Sequence, residues 1–243
     1  MLPNCTRPTI STFVKTASHQ TVEILGLSGL DYIVIDAEHA PFDLATLDTM
    51  LLAARAAGLP TLVRISDHRS ARIGAVLDMG ADGIVVPHVD SAAEAAELVA
   101  AARYLGGGRG LSGSTRAGGY GTVRRGELIA QGDGCLIVCQ IESAAAVGAV
   151  EDIASVAGVG GLFIGRADLA LSFGLSDTKA AAVLTAVART TAAARARGVA
   201  SILAVEQDVD VAAFRALGID SFVYGSDQSL LRKSAALLSA LLE

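Results

Sequence analysis

Short apolar runs rich in β-branched residues recur along the chain, each followed by a longer Ala-rich stretch with Arg and Glu at helical spacing. Eight runs read as strands: 10–14 (ISTFV), 31–36 (DYIVID), 60–65 (PTLVRI), 83–88 (GIVVPH), 135–141 (CLIVCQI), 160–165 (GGLFIG), 200–204 (ASILA) and 221–224 (SFVY). Most are apolar on both faces, the pattern of parallel strands covered by helices. The intervening periodicity predicts helices over 43–57, 69–79, 91–104, 144–157, 178–197 and 208–217. Several of these stop at a glycine, as at Gly58, Gly80, Gly158, Gly198 and Gly218, the residue favoured just past a helix end. Eight β-α units in 243 residues predict an α/β fold, a (β/α)8 TIM barrel forming one domain over 1–243. A doubly wound sheet is the alternative architecture.

One connection is anomalous. Between the helix at 91–104 and the strand at 135–141 lies LGGGRGLSGSTRAGGYGTVRRGELIAQGDG, too long for an ordinary link. It predicts a Gly-rich loop to about Tyr120 and a short helix near 123–131.

Composition narrows the class. Apolar residues make up 52% and charged residues 18%, which supports a large core and argues against disorder. A net charge of −6 with scattered arginines gives no footprint for nucleic acid. The three cysteines, Cys5, Cys135 and Cys139, are odd in number, and two share one apolar strand. Neither a disulfide framework nor a zinc pattern fits them. The opening MLPNCTRPTISTFVK has no apolar h-region, and no uninterrupted apolar run approaches the about 20 residues of a membrane span. The expectation is a cytoplasmic protein with neither nucleic-acid nor membrane partners.

In a barrel the chemistry sits at the C-terminal ends of the strands. Five consecutive strands here end on polar groups while their interiors are apolar. The second ends in Asp36, with Glu38 and His39 beyond it, the third at Arg64 and the fourth at His88. The fifth ends at Gln140 and Glu142, and the sixth runs into Arg166 and Asp168. Glu142 and Asp168, two carboxylates without a Cys or His cluster, suit a hard cation such as Mg²⁺ or Mn²⁺. They could instead cap the helices that follow them. Arg64 offers donors to an oxyanion or a carboxylate, or a salt bridge to Asp67. His39 could act as a general base oriented by Asp36, or be a hydrogen-bonded structural histidine. His88 could merely line the mouth, His19 and His68 read as surface residues, and Cys135 and Cys139 as small core residues. GVGGLFIG precedes its strand and GGGRG lacks a Lys-Ser/Thr ending, so neither is a nucleotide fingerprint.

The motifs IDAEHAPFD, LVRI, LDMGADGIVVPHV, CQIES and GLFIGRADLALSFG, in this order over about residues 10–230, resemble the HpcH/HpaI aldolase family. These are class II pyruvate aldolases with barrels of the phosphoenolpyruvate/pyruvate type. The resemblance implies a metal-dependent lyase that cleaves a 4-hydroxy-2-oxo acid to pyruvate and an aldehyde. Related barrels use the same site for Claisen-type chemistry on citrate-like or acyl-CoA substrates, and a non-catalytic, ligand-sensing barrel is a third possibility. By resemblance, His39 is the acid/base residue, and Arg64 stabilises the enolate oxyanion and contacts substrate. Gln140 also contacts substrate, and the backbone at Ala167 and Asp168 cradles the pyruvate carboxylate. Glu142 and Asp168 hold the divalent cation, Mg²⁺, Mn²⁺ or Co²⁺. Asp78 matches an acid that raises the basicity of the histidine, the role the local pattern gives to Asp36, so both stand as candidates. Asp78 at a helix C-terminus would need an unusual path or a neighbouring subunit to reach the mouth. The family pattern has Pro where this chain has Arg166, which either adds a cation for an acidic aldehyde or points to solvent. The 109–121 loop matches one tied to acceptor selection. The resemblance also implies a homo-oligomer, a hexamer or trimer, with the C-terminal helix at 227–242 exchanged between subunits.

Overall fold

Parallel pairing runs without a break around eight strands and closes the last onto the first, β1-β2-β3-β4-β5-β6-β7-β8, in a computed structural model that describes residues 7–242. The readings of Cys5 and of the extreme N-terminus lie outside the described residues. The strands are β1 (Thr9–Val14), β2 (Tyr32–Asp36), β3 (Thr61–Arg64), β4 (Gly83–Val86), β5 (Leu136–Ile141), β6 (Gly161–Ile164), β7 (Ala200–Val205) and β8 (Ser221–Ser226). Closure excludes the doubly wound alternative, since an open sheet would leave two edges unpaired.

The helices alternate with the strands. They are α1 (His19–Gly26), α2 (Leu44–Ala56), α3 (Ser70–Asp78), α4 (Ala92–Ala102), α5 (Arg125–Asp133), α6 (Ala144–Gly148), α7 (Val150–Ser155), α8 (Arg166–Ser172), α9 (Ala181–Arg197), α10 (Asp208–Ala216) and α11 (Asp227–Ser239). The helix expected over 144–157 is broken at Ala149, whose φ of −104° and ψ of 9° leave helical geometry, giving α6 and α7. Two short helices, α1 and α8, escaped the periodicity because eight and seven residues are too few to show it. The long connection contains a 3-10 turn at Gly119–Gly121 ahead of α5.

Side chains alternate between two apolar layers. Phe13, Tyr32, Val34, Leu62, Val85, Val138, Phe163, Ile202 and Val223 fill the barrel interior. Their neighbours in sequence point outward onto the helices, as with Val14, Ile33, Ile35 and Val63. Each fully buried side chain of this kind stabilises the fold by about 1.5–3 kcal/mol. This two-sided burial is why the strands carry no charged residue before their C-terminal ends, their few interior polar groups being Ser, Thr and Tyr hydroxyls.

Helix starts are fixed at the mouth by short polar side chains. Asp43 accepts from Thr46 N at 2.7 Å, Ser91 from Glu94 N at 3.2 Å, and Ser143 from Ala146 N at 2.9 Å. Because Ser143 caps α6, the preceding Glu142 is free to face the mouth. β4 approaches β5 closely at Gly83, where an added Cβ would lie 2.2 Å from the Leu136 carbonyl oxygen. Backbone cannot yield there as a flexible side chain would. Gly83→Ala is expected to cost about 3 kcal/mol and, in a chain of this size, to lower Tm by roughly 10 °C in a thermal melt.

Candidate active site

β2 and β3 are in register with Asp36 opposite Arg64, so the two side chains meet at the inner rim of the barrel. Arg64 donates to Asp36 through Nε at 2.9 Å and Nη2 at 2.8 Å, a bidentate pair with Asp36 fully buried. The same carboxylate accepts the backbone N–H groups of Glu38 at 3.3 Å and His39 at 3.2 Å. Lys15 Nζ adds a contact at 3.1 Å. Burial by itself raises the Asp36 pKa, but the hydrogen bonds and charge of Arg64, the His39 N–H and Lys15 outweigh it and hold the carboxyl at about 2. The Arg64 guanidinium stacks 4.5 Å above the Phe13 ring, which in turn meets Phe163 at 5.9 Å. Its remaining nitrogen, Nη1, lies 3.5 Å from Gln140 Oε1.

From Gln140 the network continues across the mouth. The Gln140 amide donates to Glu142 Oε2. Glu142 Oε1 accepts the backbone N–H of His88 at 2.7 Å and lies 2.9 Å from His88 Nδ1. Glu38 sits in the centre: Oε2 is 3.2 Å from Arg64 Nε and 3.7 Å from His39 Nε2, and Oε1 is 3.7 Å from His88 Nε2. Burial raises the Glu38 pKa, and the negative charge of Glu142 adds to it against the pull of Arg64, His39 and His88. Glu38 Oε2 is buried and has no aligned hydrogen bond among the described residues, despite its charge contact with Arg64.

Several sequence expectations change here. Asp36 does not touch the His39 imidazole; it holds the backbone of residue 39 and the side chain of Arg64. The carboxylate facing the ring is Glu38, the acid whose role the sequence left unexplained. Arg64 is paired with Asp36, whereas Asp67 pairs with Arg69. Asp78 ends α3 at the opposite end of the barrel, where Arg109 Nη2 donates to it at 2.7 Å. It cannot orient His39 of its own chain. Arg109, Arg116, Ala117 and Gly119 of the long loop line a cavity of about 650 Å³ at that same far end, together with Thr61, Asp82 and Cys135 at strand starts. The loop therefore does not reach its own mouth. Arg166 is buried rather than solvent-facing: it stacks 4.6 Å over Phe214 and donates to Ala204 O at 3.1 Å and Asp210 at 3.4 Å. It points away from the mouth into the layer between β7 and α10.

Other expectations hold. Gln140 and Glu142 are buried at the mouth, His39 stands exposed at its rim, and His19 and His68 are exposed. Cys135 and Cys139 are free, and burial pushes the Cys139 thiol up to about 12, so it is inert core. Sequence reasoning missed Lys15. It stands directly after Val14, where β1 ends as the sequence predicts, and the rule that polar residues at strand ends face the mouth would have found it.

A divalent cation fits this donor set. Register places Ile141 beside Ile164, so Glu142 flanks Gly165, and Asp168 follows in the first turn of α8. A Cβ on Gly165 would lie 3.0 Å from Glu142 Oε2, so glycine keeps that edge of the mouth clear. Asp168 is exposed and lies with Ala167 in the first turn of α8, whose leading N–H groups lack helical partners. Among the described residues no three His, Cys, Asp or Glu side chains converge as a closed metal cage. Two carboxylates with open positions match a hard cation that keeps water and substrate oxygens as its other ligands.

The family model described as HpcH/HpaI aldolase/citrate lyase matches residues 9–234. The chain belongs to the HpcH/HpaI aldolase/citrate lyase family. A 5-keto-4-deoxy-D-glucarate aldolase of Klebsiella pneumoniae subsp. pneumoniae is 34% identical over 233 residues, 95% of this chain and 90% of that protein. A hydroxypyruvate/pyruvate aldolase of Paraburkholderia phytofirmans is 38% identical over 204 residues, 81% of this chain and 78% of its own length. The crystal structure of a family protein from Burkholderia cenocepacia J2315 superposes with a TM-score of 0.93 at 32% identity, covering 100% of this chain and 97% of that one. The curated relatives are aldolases, that is, carbon–carbon lyases, and the family depends on a divalent metal.

The Asp36 pair is open to a pH test. Its folded-state pKa lies below the ordinary 3.8, so the ionised carboxyl stabilises the fold above about pH 4 and that contribution is lost as pH falls toward 2. Asp36→Asn is expected to cost about 2 kcal/mol at pH 7 in urea unfolding, with the gap to wild type closing between pH 4 and pH 2.

Proposed function

We propose that this protein is a metal-dependent class II aldolase that cleaves, or forms, a 4-hydroxy-2-oxo acid with pyruvate and an aldehyde as the other side of the reaction. The observation that carries the reading is the continuous chain Asp36–Arg64–Gln140–Glu142 on one mouth, ending beside Gly165, which leads into the helix that bears Asp168. Glu142 and Asp168 would hold the cation, Mg²⁺ or Mn²⁺ with Co²⁺ as a substitute. When bound, that cation supplies Lewis acidity toward the carboxylate and keto oxygens of a 2-oxo acid.

Arg64 is held on two nitrogens by Asp36 and presents Nη1 toward the mouth, where it binds the oxygen that becomes an enolate as the C3–C4 bond breaks. Gln140 orients Glu142 and lies within reach of the same oxygen. The open first turn of α8, at Ala167 and Asp168, takes the substrate carboxylate on backbone N–H groups. His39 stands at the rim, its ring 3.7 Å from Glu38 and without a hydrogen bond among the described residues, and it removes the 4-hydroxyl proton directly or through water. The stable floor and exposed rim match a reaction in which one fragment is retained as an enolate and the other departs as an aldehyde.

Asp78, bound to Arg109 at the far end of the barrel, could serve only the mouth of a neighbouring copy, and the same holds for acceptor selection by the 109–121 loop. A homo-oligomer, a hexamer or trimer with exchanged C-terminal helices, is part of the proposal. α11 leaves Leu231, Leu237 and Leu238 more than two-thirds exposed. Beside the β1–β8 seam an apolar groove of about 420 Å³ is lined by Ile10, Leu30, Val211, Tyr224 and Leu230. The same helix from a second copy would cover both surfaces. A cytoplasmic location completes the reading; among the described residues no helix is long and apolar enough to cross a membrane. The second reading, Claisen-type cleavage of a citrate-like or acyl-CoA substrate, is favoured by the citrate lyase half of the family description. Citrate formation from oxaloacetate would distinguish it.

Retro-aldol turnover, followed by pyruvate release, is expected to vanish with a chelator and return with Mg²⁺ or Mn²⁺. Glu142→Ala and Arg64→Ala are each expected to lower kcat by about 100-fold or more. Full activity of Glu142→Ala after metal stripping would refute the mechanism. Light scattering after size exclusion should give a trimer or hexamer for the wild type and smaller species for Leu237→Asp/Leu238→Asp; a monomeric wild type would reject the exchanged helix.

A further inference from the structure

His88 holds a backbone conformation that a histidine rarely adopts. Its φ is 54°, in the left-handed region, where non-glycine residues cost free energy and persist when the surroundings impose them. What imposes it here is Glu142, which accepts both the His88 backbone N–H at 2.7 Å and a contact from Nδ1 at 2.9 Å. The two contacts fix the ring in one orientation and turn Nε2 toward the mouth. There it lies 3.7 Å from Glu38 Oε1, while His39 Nε2 lies 3.7 Å from Glu38 Oε2. The two histidines thus flank one carboxylate from opposite sides.

Depth separates the groups by task. Arg64, Gln140 and Glu142 are buried at 6%, 1% and 3% exposure and form the floor. The side chains of His39 and His88 are 56% and 70% exposed and form the rim. A substrate whose 2-oxo acid end lies on the floor extends its aldehyde-derived end between the two rings.

We propose that His88 is a specificity-determining residue whose Nε2 hydrogen-bonds the aldehyde half of the substrate opposite His39, selecting a hydroxylated aldehyde over an alkyl one. The inference rests on the aldolase reading above. A hydroxyl can donate to or accept from an imidazole nitrogen, whereas an alkyl group of the same size would displace water from Nε2 without replacing its hydrogen bond. Strain is retained at residue 88 because only this backbone turns the ring inward while its N–H secures Glu142.

The test uses the full-length, Mg²⁺-loaded enzyme with pyruvate and one of two acceptors of matched size, glycolaldehyde or propanal. Pyruvate methyl hydrogen–deuterium exchange, followed by NMR, reports the floor alone, because no aldehyde takes part in it. The variants are His88→Asn and His88→Ala, with folding checked by thermal melts. Asn tolerates positive φ and places an amide nitrogen near the position of Nδ1, so it preserves the contact with Glu142 and removes only the Nε2 end.

Wild type is expected to favour glycolaldehyde by about tenfold in kcat/KM, the worth of one hydrogen bond. Both variants are expected to lose that preference through a raised KM for glycolaldehyde, with His88→Asn keeping pyruvate exchange within about threefold of wild type. Preference intact in His88→Asn, or absent from wild type, would overturn the proposal. Equal loss of exchange and aldol addition in His88→Asn would also overturn it, since His88 would then act through Glu142. No pyruvate exchange in wild type would instead overturn the aldolase reading itself.

Discussion

Asp36 is a fully buried carboxylate that gathers Arg64, Lys15 and two backbone N–H groups onto two oxygens. Ionising an acid in the barrel interior is costly unless it is paired and hydrogen-bonded. Here the pairing is complete, and the site is built outward from it. The pair fixes the Arg64 guanidinium on the floor, and the N–H contacts set the path of the β2–α2 loop that carries Glu38 and His39. An unpaired Arg64 over the Phe13 ring would be a buried cation with nothing to hold its plane. The bidentate geometry leaves one guanidinium edge free, and that edge faces Gln140.

Charge across the mouth is uneven by design of the topology. One side, at β1–β3, carries Lys15 and Arg64 against Asp36. The other, at β5–β6, carries Glu142 and Asp168, whose one basic partner among the described residues is the imidazole of His88. Glu38 lies between them, and its raised pKa records the deficit: burial and a neighbouring carboxylate disfavour a second negative charge. A divalent cation held by Glu142 and Asp168, as proposed above, would relieve this repulsion.

The two ends of the barrel have separate characters. The mouth collects a hydrogen-bonded network on strand ends. The far end holds the long loop, tied down by Arg109 to Asp78 and by Arg116 to Asp48 and the Met79 carbonyl. These ion pairs shape a second polar region that no strand periodicity announces, because it depends on a loop folding back beneath the helices.

The barrel itself was legible in the chain. Two-sided apolar strands at regular intervals, with polar residues confined to strand ends, follow from a sheet buried on both faces, and that pattern survives in one dimension. For the same reason Arg64, Gln140 and Glu142 could be placed at one mouth from sequence. What the chain could not show was which polar groups touch. Register set Asp36 against Arg64 rather than against the His39 ring, and helix packing turned Arg166 into the layer between β7 and α10. Register also joined Glu38 and His88, residues 50 positions apart, across a gap that only barrel closure creates. Sequence determined the strands and the mouth because burial is a local, periodic demand. Tertiary structure decided the contacts because hydrogen bonds and ion pairs depend on a few ångströms of geometry between segments distant in the chain.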